Sequence, residues 1–400
     1  YGLQYFKTMY YEWHNNSDIY FRDRKLRYSR NRSYAEGNQD VGKYKDLLSS
    51  GGDTSYLNID WSPVSIIPKF VDVIVNGMVN QEYDVKAESI DPVAANKRLE
   101  KKKQMLGDML SKDFLENLED ETGIPLAPNG FVAQSSEEVD MFMALNYKQN
   151  VEIALEKAIE YTLNINDYDQ VKRYMIRDLV VLGLCAAKTD LSPTSGLSIR
   201  YVDPSNLITS FSASSDFKNM RHAGEVYSMT IADLKQQSGG EFSEEDYIKI
   251  ANEYAGKNNN PMYFNTSSNY ENGDNTYDYD KFSINILDAE FITSHELKYE
   301  KKDNKKGGYS VNKKPSNYKQ PKNSKTNRKA IGSTVKVVYT GKYIVGSDYV
   351  FNYGLMKDMP RTKSNLSETR LSYIVYQPNL YKMKSRSLVD RMVPFADQIQ

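Results

Sequence analysis

Ser333-Thr-Val-Lys-Val-Val-Tyr339, Thr340-Gly341-Lys342, Tyr343-Ile-Val345 and, past residues 346–348, Tyr349-Val-Phe351 form the stretch that decides the fold class. Runs rich in β-branched and aromatic residues are separated by short Gly-containing segments, the pattern of strands joined by local hairpin turns. Turns are expected at 340–342 and 346–348. Working outward, residues 282–294 and 372–376 read as further strands, as do 197–203, ended by Pro204, and 225–231. From residue 385 the apolar residues Leu388, Val389, Met392, Val393, Phe395, Ala396 and Ile399 recur as in a helix, and Pro394 is expected to kink or break it.

The first half of the chain is helical in pattern. Residues 63–80 place Ile66, Ile67, Phe70, Val71, Ile74, Val75 and Met78 on one face, with Pro near the start. Residues 83–88 alternate as a strand would. Asp91-Pro92 opens a helix that runs to Gly123, basic early and acidic late, the reverse of what the helix dipole prefers. Residues 136–165 and 167–187 read as two more helices, the second apolar nearly all round from Leu179 and therefore buried. Short helices are expected from Thr230 and from Ser243, the latter with a capping-box start. Together these patterns define an α+β chain.

Composition sets the limits. Lys+Arg is 52 and Asp+Glu is 53, a net charge of −1, so any electrostatic function comes from local segregation of charge. One cysteine, Cys185, rules out a disulfide within the chain and a cysteine-based zinc site; it reads as a small buried hydrophobe. His14, His222 and His295 are too far apart for a histidine-rich metal site. The longest apolar run, 179–187, is about half the ~20 residues needed to cross a bilayer, and no signal peptide opens the chain, so a soluble protein without membrane association is expected. Tyr is abundant, 32 of 400, which suits large interfaces or reflects coding bias. The chain begins at Tyr1 without Met and stops at Gln400 inside an apolar-periodic segment, as a portion of a longer protein would.

Two segments concentrate positive charge. Arg22, Arg24, Lys25, Arg27, Arg30 and Arg32 interleave with Tyr20, Phe21 and Tyr28, as in a nucleic-acid surface or a helical arm docking on a neighbour. Residues 298–329 hold twelve Lys/Arg against Glu300 and Asp303, and read as a flexible loop or a phosphate-binding tail. Arg22, Arg24, Arg27, Arg30, Lys301, Lys305, Lys313, Lys314 and Lys319 are the candidate phosphate or capsid contacts. Catalytic signatures are lacking: no Gly-rich phosphate loop ending in Gly-Lys-Ser/Thr, no His-Glu-x-x-His and no Gly-x-Ser-x-Gly. Asp274, Asp278 and Asp280 do not fit the EF-hand spacing. Neither a catalytic residue nor a cofactor nor a metal is assigned.

The order of segments nevertheless resembles a known family. The pieces are residues 70–83, the strand end Tyr201-Val-Asp-Pro204, the loop 216–225, and Ser387-Leu-Val-Asp-Arg-Met-Val-Pro-Phe-Ala-Asp-Gln398. In that order they resemble the portal (head–tail connector) proteins of tailed double-stranded DNA phages, most closely those of crAss-like phages. The resemblance implies a ring of about twelve copies at one capsid vertex, the channel for genome packaging and ejection. It implies a virion protein assembled in the cytoplasm of the host bacterium, with double-stranded DNA, the major capsid protein, terminase and tail or head-completion ring proteins as partners. It maps residues 1–60 to an N-terminal arm and 61–297 to an α/β wing. Residues 298–375 become a Lys-rich loop with a β-hairpin clip, and 376–400 the start of a stem or channel helix. Lys336, Tyr339, Lys342, Tyr343 and Tyr349 become candidate partner-docking residues of the clip. A nearly neutral subunit suits a channel through which a phosphate polymer must slide.

Two rivals stay open: a non-enzymatic DNA-binding protein using segments 22–32 and 298–329, and an enzyme of unrecognised type, for example a nuclease using Asp residues with a divalent ion.

Overall fold

A computed structural model describes residues 2–14, 19–48, 60, 62–89, 91–122, 132–192, 196–254, 283–303, 308–315, 318, 328–361, 367–378, 380, 383–384 and 386–399. In chain order the helices are α1 (Gly2–His14), α2 (Ile19–Ala35), α3 (Gly42–Leu48), α4 (Ile67–Val79), α5 (Pro92–Thr122), α6 (Ser136–Leu145), α7 (Asn150–Ile165), α8 (Tyr168–Val181), α9 (Ile231–Ser238), α10 (Glu244–Tyr254) and α11 (Leu388–Ile399). The strands are β1 (Cys185–Ser192), β2 (Gly196–Val202), β3 (Leu207–Thr209), β4 (His222–Thr230), β5 (Ser283–Asp303), β6 (Tyr309–Lys314), β7 (Arg328–Ile344), β8 (Val350–Leu355) and β9 (Tyr373–Tyr376). The α+β class expected from the patterning is the class observed. Two compact units divide the chain: Tyr1–Gln81 with Asp169–Gln400, and Glu82–Tyr168. Among the described residues no helix is long and apolar enough to cross a membrane.

The larger unit stacks two antiparallel sheets, β2-β1-β9 and β3-β4-β5-β7-β8, with β6 added to the far end of β5. Side chains alternate across a strand, so β5 supplies both faces of the larger sheet. Leu287, Ala289 and Phe291 pack with Phe6, Met9 and Trp13 of α1. Ile284 and Ile286, of opposite parity, pack with Leu234 of α9 and Ile250 of α10. The smaller sheet joins through Leu184, Ala186, Val202, Tyr373 and Val375, which cluster with Leu207, Ala223 and Val338. A helical layer of α2, α4, α8 and α11 closes around Tyr28, Val71, Val181 and Val389.

Several local expectations are corrected. Within the expected N-terminal arm, α1 and α2 bury Phe6, Trp13 and Tyr28 in the unit's own core. The apolar run 179–187 is a helix end followed by a strand. Gly183, at φ 78°, sits in the left-handed conformation that closes helices, and its N–H donates to the carbonyls of Asp178 and Leu179. Residues 136–165 form two helices, because Gln149 and Glu152 build a capping box that starts α7 afresh. Residues 83–88 are extended but join no ladder; carboxylates of α7 replace it, Glu156 Oε1 accepting from Ala87 N at 3.0 Å and Glu152 Oε1 from Ser89 N at 2.9 Å. α11 runs through Pro394 because Val389, Val393 and Ala396 on either side are buried in the core.

Most of the described part of the Lys-rich stretch is strand: residues 298–303, 309–314 and 328–329. β5 crosses residue 297 without a break, and β6 and β7 flank its far half. Tyr318 lies beside this ribbon, its hydroxyl donating to Glu300 Oε1 at 2.8 Å. The calcium-like Asp274, Asp278 and Asp280 lie outside the described residues.

The turn expected at 340–342 is absent as well. β7 continues through it, with only a register shift between Thr340 and Lys342 against β8. The turn at 346–348 is present: Gly346 has φ 83° and Ser347 N donates to Ile344 O at 3.2 Å. Gly341 instead allows α1 to approach. A Cβ there would lie 2.9 Å from Phe6 Cε2 and 3.1 Å from Tyr353 Cδ2. Because Phe6 is itself fully buried, Gly341→Ala is expected to destabilise the protein by about 1–3 kcal/mol in urea denaturation. The penalty should shrink in a Phe6→Leu background, and an unchanged midpoint would show that the close approach is not what requires glycine.

Candidate functional site

Among the described residues, a cluster of ionisable side chains lies between the two sheets. Asp288 and Glu290 are two apart on β5 and so share a face, and Glu225 of β4 pairs directly opposite Asp288. Lys188 of β1, 4% exposed, reaches in from the smaller sheet; its Nζ donates to Asp288 Oδ2 at 2.7 Å and lies 3.9 Å from Glu290 Oε1. Arg200 of β2 places Nη1 2.5 Å from Glu225 Oε2 and Nη2 3.8 Å from Asp288 Oδ2. Ser372 donates its backbone N–H and its hydroxyl to Glu290, at 2.9 and 2.5 Å. Tyr373 donates to the Asp288 carbonyl at 2.8 Å, and its ring lies 4.8 Å from Lys188 Nζ.

Electrostatics follow from burial and pairing. Burial pushes the Glu225 carboxyl up, with Arg200 opposing. Burial likewise raises Glu290, opposed by Lys188 and the Ser372 bonds. Burial also pushes on Asp288, but the charges of Lys188, Lys342 and Arg200 outweigh it and hold that carboxyl below its ordinary range. Lys342, whose Nζ donates to Gln237 Oε1 at 2.7 Å, is lowered by burial. The carboxylates are engaged by cations of the same cluster, an arrangement that ties the two sheets together.

A second, half-buried knot ties α2 to the sheets. Arg32 makes a two-bond fork to Asp203, at 2.6 and 3.2 Å, and lies 3.8 Å from Asp178 Oδ1. Tyr201 donates to Asp178 Oδ2 at 2.5 Å. Burial pushes the Asp178 carboxyl up to about 7. Cys185 is buried as expected, and burial raises its thiol to about 12. His222 accepts or donates a 2.9 Å bond with the Tyr5 hydroxyl, and burial lowers it to about 4. Among the described residues no group of three or more His, Cys, Asp or Glu could hold a metal ion.

The residues expected at the surface are largely turned inward. Of the clip set, Lys336 is exposed. Tyr339 stacks on Phe291 and Tyr353, at centroid distances of 5.9 and 5.7 Å. Tyr343 is buried, Tyr349 donates to Asp246 Oδ1 at 3.1 Å, and Lys342 faces Gln237. Among the α2 arginines, Arg24 is buried and donates to the Leu207 carbonyl, while Arg30 Nη2 lies 2.9 Å and Arg27 Nε 3.8 Å from Asp390 carboxylate oxygens on α11. Lys301, Lys313 and Lys314 lie together on the β5–β6 ribbon. The side chain of Arg22, and Lys305 and Lys319 altogether, lie outside the described residues.

Sequence reading missed the apolar surface. In the larger unit α4 exposes Phe70 and Val73, the latter 72% exposed, while α11 exposes Phe395 and Ile399. In the smaller unit α7 is inverted: its buried residues are Glu152 and Glu156, whereas Val151, Leu155, Ile159, Tyr161 and Ile165 are 40–67% exposed. The signal was present in the spacing, since 151, 155 and 159 share one face and 152 and 156 another. An open groove of about 670 Å³ in the same unit is lined by Arg98, Leu99, Lys102, Asp140 and Met143, among others.

Compared with known proteins, the chain matches no protein-family model, and no curated protein matches it significantly.

Lys188→Met strands two buried carboxylates and is expected to cost about 3–5 kcal/mol, most of it recovered by adding Asp288→Leu. Urea titration of both variants measures this. Asp178 gives a pH-dependent outcome. Its folded value of about 7 lies above the ordinary 3.8, so its contribution to stability is present in acid and lost as pH rises through 7. Asp178→Asn should therefore stabilise by at most about 4 kcal/mol at pH 8 and by nearly nothing at pH 4. Equal effects at both pH values would contradict the assignment.

Proposed function

We propose that the chain is a non-enzymatic structural subunit of a symmetric assembly, and that the assembly is the portal ring of a tailed double-stranded DNA phage. One observation carries the assembly reading: apolar side chains stand in solvent along α4, α11 and α7. Large apolar side chains grouped on whole helix faces mark surfaces that another molecule covers. In a closed ring each copy offers one surface to the next and a different surface to the previous copy, so more than one apolar face can be covered. The segment order that resembles portal proteins supports the particular assembly. In that reading DNA passes through the ring during packaging and ejection, and terminase and then tail or head-completion proteins dock on it. The ring sits at one vertex of the virion capsid and is assembled in the bacterial host cytoplasm. The buried ionic clusters serve rigidity, which a ring under packaging load requires.

Light scattering on the full-length protein tests this. A mass near a dozen copies is expected, and Phe70→Asp combined with Phe395→Asp should release smaller species with an unchanged circular dichroism spectrum. An unsubstituted protein that is monomeric at tens of micromolar would overturn the proposal.

A further inference from the structure

The far half of β5 leaves the two-sheet core and continues as a three-stranded ribbon with β6 and β7. Its two faces differ in chemistry. One carries Lys298, Glu300 and Lys302 of β5, with Lys314 and Asn312 of β6 opposite Lys298 and Glu300. There Glu300 is buried; it lies 3.1 Å from Lys314 Nζ and accepts from the Tyr318 hydroxyl, and Lys314 Nζ stands 5.3 Å from the Tyr318 ring. That face is closed by its own ion pair and by a tyrosine.

The opposite face has no such closure. It carries Tyr299 and Lys301 of β5 with Tyr309, Val311 and Lys313 of β6, since Lys301 pairs with Val311 and Tyr299 with Lys313. Lys301 and Lys313 are therefore diagonal neighbours, about 7–8 Å apart. Tyr309 and Val311 are well exposed, and Lys301 Nζ lies 4.2 Å from the centre of the Tyr309 ring. The register also places Asp303 of β5 in line with Lys301 and opposite Tyr309, with its side chain outside the described residues. The charge is also continuous with its surroundings in sequence, because residues 298–329 hold twelve Lys/Arg against two acids.

We infer that this face of the β5–β6 ribbon binds the phosphate backbone of a nucleic acid, with Lys301 and Lys313 as phosphate contacts and Tyr309 as a platform for an unpaired base. A row of ammonium groups on a rigid strand scaffold is complementary to a polyanion, and an aromatic ring beside it offers stacking to any base. In the other basic segment, Arg24, Arg27 and Arg30 of α2 are instead engaged with Leu207 and Asp390 of the same unit. This inference stands on the ribbon and does not depend on ring formation. A protein that stays monomeric yet binds through Lys301 and Lys313 keeps it.

The test is fluorescence anisotropy of the full-length protein with a labelled 30-nucleotide oligothymidylate and with a mixed-sequence duplex of equal length, at several salt concentrations. Binding that weakens steeply with salt is expected. Lys301→Gln with Lys313→Gln should weaken both probes at least tenfold and flatten the logarithmic salt slope for the single strand by about 1.4. Tyr309→Ala should weaken the oligothymidylate about tenfold and leave the duplex unchanged. Lys313→Glu, at an exposed position, gives the same direction of change without touching packed residues. Unchanged affinity and slope in the lysine variants would overturn the inference, as would binding to phosphatidylserine vesicles without binding to either nucleic acid. A Tyr309→Ala loss equal on both probes would remove the stacking role of that residue.

Discussion

Two charged residues that face each other between sheets fix how this protein is built. Lys188 stands on the smaller sheet and Asp288 on the larger, and neither is tolerable in a low-dielectric interior without the other. Their pairing sets the distance and the register at which the sheets stack. Arg200 with Glu225 and Ser372 with Glu290 then satisfy the remaining charges around the pair. Apolar packing, from Leu184 and Val202 to Val338, fills the space that this geometry leaves. Hydrophobic burial supplies most of the stability, but an apolar interface alone permits sliding. Matched buried charges allow one arrangement, because any shift leaves a carboxylate unpaired.

The same logic extends to the helical layer. Arg32 reaches Asp203 and Asp178, Arg30 reaches Asp390, and Tyr34 donates to Asp397 at 2.7 Å. In this way α2 bridges the sheets and the C-terminal helix α11. Tyrosine abundance has the same explanation in part. Tyr34, Tyr201, Tyr349 and Tyr373 each bury ring area while the hydroxyl finds an acceptor within the chain. Many of the aromatic and arginine residues that look like an external surface in sequence are therefore internal ties.

Legibility in the sequence followed the range of the interaction. α4, with apolar residues at 67, 71 and 75, and α9, with its Thr230–Asp233 capping box, depend on neighbours within a turn, and both are readable directly. Glycine was legible as punctuation but not in kind. Gly183 ends a helix inside an apolar run, and Gly341 in a strand makes room for Phe6, 335 positions earlier. Only the tertiary partner distinguishes such roles. The Lys-rich segment looked unable to form structure because it lacks apolar residues, yet ladder hydrogen bonds to β5 organise β6 and the start of β7. α7 misled for the opposite reason. Its glutamates turn inward to hold an extended segment, and its apolar residues are left for the outside.

The arrangement separates a rigid interior, where ionisable groups are matched, from an exterior of apolar helix faces and a lysine-bearing ribbon. The proposed assembly would use that exterior, with the apolar helix faces covered by neighbouring copies. Electron microscopy of the purified full-length protein tests this most directly. Closed rings with α4 and α11 buried between neighbouring copies are the expected result. Uniform single particles of one chain, with those helix faces open to solvent, would contradict it.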